Sequence, residues 1–205
     1  MRTLTKELQQ RMTPTQAIAL IKEGNKRFVN NLKINRNLLQ QVNETSAGQH
    51  PFAVIISCMD SRTSAELIFD QGLGDIFSIR IAGNVINEEI LGSAEYCCKV
   101  AGAKVILVLG HSSCGAIKGA IDDIELGHLH HITRRIQRCI PEKEKSNSKH
   151  SESFVADVTQ KNVAQGIEDI RKKSSVLNEM EASDEIRIVG GIYDVASGIV
   201  TFLDK

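Results

Sequence analysis

Residues Phe52 to Ser57 (FAVIIS) and Val105 to Leu109 (VILVL) are apolar almost without a break. A strand with one wet face alternates polar and apolar side chains, so these runs predict strands covered on both faces. Such a sheet needs helices above and below it, joined by crossovers that return over the sheet. The rest of the chain supplies them. Ile76 to Ile81 (IFSIRI) reads as another strand, helical stretches fall at about Ser64 to Phe69 and Asn87 to Val100, and late strands follow at Ile186 to Gly190 and Ile199 to Leu203. Further helices start near Cys114, run from about His128 to Cys139, and extend through Val155 to Lys172. The predicted fold is α/β: a mainly parallel central sheet of four strands with right-handed crossovers and helices on both faces. The link Gly191 to Gly198 is too short for a crossover, so the last strand turns back as an antiparallel edge.

Thr13-Pro14 pairs a capping residue with a proline suited to a first helical turn, and Ala17, Ile18, Ile21 and Phe28 recur at roughly helical spacing. An amphipathic helix is therefore expected from Thr13 to about Asn30. Its apolar stripe can lie on its own domain or on a partner subunit, and both stay open at this point. The polar tract Glu142 to Ser151 reads as a solvated loop. The length suits one domain, residues 1–205, with 1–50 as an N-terminal helical arm and 51–205 as the core.

The 25 basic residues balance the 25 acidic ones. With no long block of one sign, attraction to nucleic acid or an anionic membrane is not expected, and a small neutral or anionic substrate fits better. Met1 to Met12 lacks the charged-then-apolar order of a signal peptide, and no apolar run reaches the roughly 18 residues of a membrane span. The expected location is the cytoplasm. Five cysteines are an odd count in a chain whose size needs no staples, which argues against a disulfide framework. Cys97, Cys98 and Cys139 lie in helical patterns and read as small buried hydrophobes.

The remaining two cysteines lie elsewhere. Cys58-Met59-Asp60-Ser61-Arg62 and His111-Ser112-Ser113-Cys114-Gly115 each follow an apolar strand. In open α/β sheets, ligands collect at the carboxyl ends of strands where the strand order reverses. If the strands ending near Ser57 and Leu109 are neighbours across such a point, Cys58, His111 and Cys114 converge. Two thiolates and an imidazole are a zinc set with one position left open, which favours catalysis over scaffolding. Asp60 and Arg62 project from the same loop as the first ligand. An arginine fork can hold the carboxylate bidentately, and Asp60 can either orient a nucleophile or fill the fourth metal position.

At these residues the chain resembles the β-class carbonic anhydrases, whose signature is Cys-x-Asp-x-Arg followed later by His-x-x-Cys. The similarity runs from about Thr13 to Leu203 and takes in Ala82-Gly83-Asn84, Ser93-Ala94-Glu95-Tyr96 and the Gly-x-Tyr-Asp segment ending at Asp194. It implies one Zn2+ per chain held by Cys58, His111 and Cys114, and a gating and orienting dyad of Asp60 and Arg62. Phe77 and Tyr96 would belong near the substrate cleft. Gln71 is a candidate hydrogen-bond donor to substrate, one position from where plant-like members place a glutamine. Bacterial members inhibited by bicarbonate carry a tryptophan and a glycine where this chain has Ile55 and Ser57, so that inhibition is not carried over, and Arg80 reads as structural.

The implied reaction is reversible hydration of carbon dioxide to bicarbonate and a proton, by attack of zinc-bound hydroxide. Two alternatives stand beside it: hydrolysis of carbonyl sulfide or carbon disulfide on the same scaffold, and a catalytically silent zinc-binding interaction or sensor domain. His128, His130 and His131 invite a proton-shuttle role, but nothing in the sequence aims them at the metal. The family usually forms homodimers, often paired into homotetramers, and a dimer or dimer of dimers is the implied assembly.

Overall fold

The computed structural model describes residues 3–141 and 151–203. In chain order the elements are α1 (Lys6–Arg11), α2 (Pro14–Val29), α3 (Leu38–Thr45), β1 (Ala53–Ser57), α4 (Ala65–Ile68), β2 (Ile76–Arg80), α5 (Glu88–Glu95) and β3 (Val105–His111). They are followed by α6 (Gly115–Ile121), α7 (His130–Gln137), α8 (Glu152–Lys173), α9 (Ser175–Ala182), β4 (Arg187–Tyr193) and β5 (Val200–Phe202). Apart from Ser151, which caps α8, the tract read as a solvated loop lies outside the described residues.

The sheet runs in the order β2-β1-β3-β4-β5. β1 pairs in parallel with both β2 and β3, β3 pairs in parallel with β4, and β5 closes the edge antiparallel to β4. The chain goes from β1 to one neighbour and then crosses back to the other, so the switch point lies between β1 and β3. All residues of β1 and β3 are buried, as their unbroken apolar runs require.

One face of the sheet, with Ala53, Ile55 and Leu107, is covered by Ala17 and Ile21 of α2 and by Ala65 and Ile68 of α4. The other face, with Val54, Ile56, Ile106 and Val108, is covered by α5, α8 and α9 through Ile90, Leu91, Val163, Ile170 and Leu177. At the carboxyl end, Ile117, Ile121, Ile136 and Val158 pack with Cys58 and Cys114 into a third apolar cluster. α2 begins as expected, with Thr13 and Gln16 forming a reciprocal capping box. Ala17 and Ile21 of its stripe are buried on this chain's own sheet.

Some elements depart from the sequence expectation. α1, α3 and α9 are short, and each has few buried positions to mark a period. The helix expected over Asn87 to Val100 keeps α geometry only through Glu95 and finishes as a π-helical turn at Tyr96–Val100. β3 and β4 run beyond their apolar runs because their glycines are sites of close packing rather than turns. A Cβ on Gly110 would sit 2.7 Å from Val163, and one on Gly190 would sit 2.9 Å from the same side chain of α8. Among the described residues, no helix is long and apolar enough to cross a membrane.

Candidate metal centre

Register explains why distant residues meet. Ser57, the last residue of β1, pairs with Leu109, so Cys58 comes level with Gly110, one residue short of His111. Ser113 then adopts a left-handed conformation, φ 56°, and turns the chain into α6 with Cys114 at its cap. The ligating atoms of Cys58, His111 and Cys114 lie within 4.8 Å of one another, and all three residues are buried. The two sulfurs are 4.0 Å apart.

The donor set fits a zinc ion on its own chemistry. The Cys114 thiol donating to Cys58 pulls the Cys58 thiol well below its ordinary value, while the same bond and burial push Cys114 up. A buried thiolate among apolar side chains needs a cation to balance it. His111 adds a second signature, because Nδ1 is 2.9 Å from the Ser112 carbonyl whereas Nε2 is buried with no partner in the structure. A buried nitrogen without a partner is costly unless something absent here completes it.

Asp60 stands beside this cluster without joining it. Arg62 grips it through Nε to Oδ1 at 2.9 Å and Nη2 to Oδ2 at 2.8 Å, and the Arg62 amide adds a third bond at 3.0 Å. The guanidinium hydrogen bonds hold the Asp60 carboxyl well below the usual carboxylate range.

Comparison with known proteins bears on the same residues. The carbonic anhydrase family profile matches residues 53–200, spanning both motifs. The chain is 37% identical to carbonic anhydrase 2 of Mycobacterium tuberculosis, covering 93% of each chain. The chain belongs to the β-carbonic anhydrase family. It is also 37% identical to a carbonic anhydrase of Mycolicibacterium smegmatis, over 91% of this chain and 92% of the relative. Among solved structures, the β-carbonic anhydrase CafA of Aspergillus fumigatus superposes with a TM-score of 0.73 at 26% identity, over 93% of this chain and 90% of that one. A structure from work on two tetrameric β-carbonic anhydrases of Sordaria macrospora gives 0.70 at 26% identity, over 78% and 84%.

Other groups that shape the centre of this β-carbonic anhydrase family member make bonds in which one partner is a backbone atom, which leave little trace in a sequence. The Gly83 amide lies 3.4 Å from Cys58 Sγ, from a left-handed glycine whose Cβ would strike Ile136 at 2.7 Å. Thr63 Oγ1 lies 2.9 Å from the carbonyls of both Cys58 and Asp60. Arg80, on the neighbouring strand, donates to the Cys58 carbonyl at 3.2 Å and to the Asp60 carbonyl at 2.5 Å. The arginine read as structural thus braces the loop that carries the first ligand and the dyad.

The cleft candidates sit apart from the three gathered side chains within this chain. Phe77 and Tyr96 meet edge to face, with centroids 6.5 Å apart, beside a cavity of 530 Å³ that Glu89 and Cys97 also line. Phe77 pairs with Val54, four positions before Cys58. Gln71 spends its amide on the Phe69 carbonyl at 2.6 Å, in the turn after α4. His128, His130 and His131 cluster at the start of α7, with the rings of His130 and His131 3.8 Å apart. Cys97, Cys98 and Cys139 are buried and unpaired, and burial pushes Cys97 up to about 11 and Cys98 up to about 12.

Proposed function

We propose that this chain catalyses the reversible hydration of carbon dioxide to bicarbonate and a proton, at a zinc ion held by Cys58, His111 and Cys114. The observation that carries this reading is the gathering of two sulfurs and an unpartnered imidazole nitrogen beside a carboxylate already occupied by an arginine. Family membership supports the reaction, and the pairing of Asp60 supports a site with one position free for chemistry.

Zinc, when bound, supplies the Lewis acidity that makes a water nucleophilic near neutral pH. The chain's own residues do the rest. Cys58, His111 and Cys114 take three positions and leave one. Asp60, kept ionised by Arg62, is an acceptor only, so it orients the attacking oxygen by taking a hydrogen bond from it. Arg62 also occupies both carboxylate oxygens and thereby keeps Asp60 from serving as a fourth ligand. The apolar side chains of Val85, Ile117 and Ile136 pack with the two cysteines and limit water around them.

Metal analysis combined with stopped-flow hydration tests the reading. About one zinc per chain is expected, with hydration that disappears in Cys58→Ser or His111→Ala together with the metal. Hydration by the metal-free protein would overturn it.

Assembly as a homodimer or a dimer of dimers belongs to the same reading. Leu38, Leu39 and Val42 of α3 are exposed, with Leu39 at 77%, and a second copy of the chain is the proposed cover. Light scattering on the purified protein should give a mass of at least two chains, and a monomer at micromolar concentration would reject this part.

A further inference from the structure

The two ring nitrogens of His111 have different surroundings. Nε2 is the unpartnered atom, and Nδ1 faces the Ser112 carbonyl at 2.9 Å. With Nδ1–H donating to that carbonyl, the orientation of the ring depends on how firmly Ser112 is held.

Ser112 is held from three sides by the end of β4 and the turn after it. Its amide donates to the Tyr193 carbonyl at 2.9 Å. Its hydroxyl donates to Asp194 Oδ1 at 2.9 Å and accepts from the Val195 amide at 2.9 Å. Asp194 is itself fixed, accepting from the Ala196 and Ser197 amides at 3.2 Å each and from Ser197 Oγ at 2.7 Å. The Gly198 amide closes the turn onto the Asp194 carbonyl at 2.8 Å. Ser112 is the residue between the imidazole and the left-handed Ser113 that leads to Cys114.

We propose that Ser112 and Asp194 are positioning residues of the metal centre. The β4–β5 turn fixes the Ser112 carbonyl, which selects the His111 tautomer and aims Nε2 at the point it shares with Cys58 and Cys114. The inference rests on the metal-centre reading above and assigns work to two residues that touch neither metal nor substrate. Partners of this kind typically change metal affinity by about 10- to 100-fold when removed.

Zinc transfer to a competing chelator and the visible spectrum of the Co2+-substituted protein test it. Ser112→Ala should lower zinc affinity by about tenfold or more and shift the cobalt bands. Asp194→Asn should do so to a smaller extent, and Ser112→Thr, which keeps the hydroxyl, should resemble the unsubstituted protein. Asp70→Asn, which removes an ion pair elsewhere in the fold, should lower thermal stability and leave both metal readouts unchanged. Wild-type affinity and spectrum in Ser112→Ala would overturn the proposal, as would equal losses in Ser112→Ala and Asp70→Asn. If Ser112→Ala does not fold, Asp194→Asn decides by the same two readouts. Failure of the metal-centre reading would look different: the unsubstituted protein would bind no stoichiometric zinc, or His111→Ala would retain it.

Discussion

Asp60 and Arg62 separate two jobs that sequence spacing alone left joined. In the proposed centre, a carboxylate two residues after a ligand can close the site or serve it, and the bidentate grip of Arg62 supports the second role. Asp60→Asn should therefore keep about one zinc per chain while lowering kcat/KM by about 100-fold, the range of a lost proton-handling group. Loss of zinc in step with activity would show instead that Asp60 is a ligand. Arg62→Ala makes the complementary prediction: a freed carboxylate competes for the metal, so zinc should be retained or tightened while hydration falls. Metal competition and stopped-flow assays on the same preparation check both. The side chains with this chemistry were legible because cysteine, histidine and aspartate advertise it by type. Gly83, Ser112 and Thr63 were not, because they act through an amide, a carbonyl and a short hydroxyl that suit countless turns.

At the scale of elements, α2 is tied to the sheet by contacts that its amphipathic pattern does not express. Asn25, a polar residue on the buried side of the helix, donates to the carbonyls of Ile68 and Gly198 and accepts from the Val200 amide. It thereby joins α2 to the end of α4 and to the antiparallel edge strand. Asn25→Ala leaves three buried backbone groups without partners and should cost about 3 kcal/mol in urea unfolding. One residue earlier, a Cβ on Gly24 would fall 1.8 Å from the Phe69 carbonyl. Gly24→Ala should also destabilise by about 3 kcal/mol, although alanine is the better helix former, because the helix must lift off the turn. An unchanged unfolding midpoint in Gly24→Ala would mean that α2 does not sit so close. The strands were the most legible elements, since burial on both faces writes itself as an unbroken apolar run. Short helices with one or two buried residues write nothing comparable.

Across the whole molecule, Asp70 ties the N-terminal region to the turn after α4. Burial would raise its pKa, but Arg27, Arg36 and the Ile34 amide outweigh that and hold the carboxyl below its ordinary value. A carboxylate with a depressed folded-state value contributes stability above the unfolded value of about 3.9, and that contribution is lost as pH falls through the folded value. Acid unfolding should therefore steepen below about pH 4, and Asp70→Asn should flatten that limb while costing about 3 kcal/mol at neutral pH, by leaving Arg36 buried without its charge partner. Asparagine tolerates the left-handed backbone at this position, φ 46°, so the substitution isolates the charge. Metal should act on the same global equilibrium: zinc at 1,000 times its dissociation constant adds about 4 kcal/mol, visible as a thermal midpoint that falls on chelation in the native chain but not in Cys114→Ser. The sequence by itself determined the parallel sheet, the two loops at strand ends and the chemistry of their side chains, because burial pattern and residue type are local properties. The tertiary structure decided that β1 and β3 are neighbours, that α2 folds back on its own sheet, that Asp60 belongs to Arg62, and that the turn after β4 holds Ser112. Each of those depends on which atoms come into contact, within about 3 Å for a hydrogen bond, and residue type and burial pattern do not carry that distance.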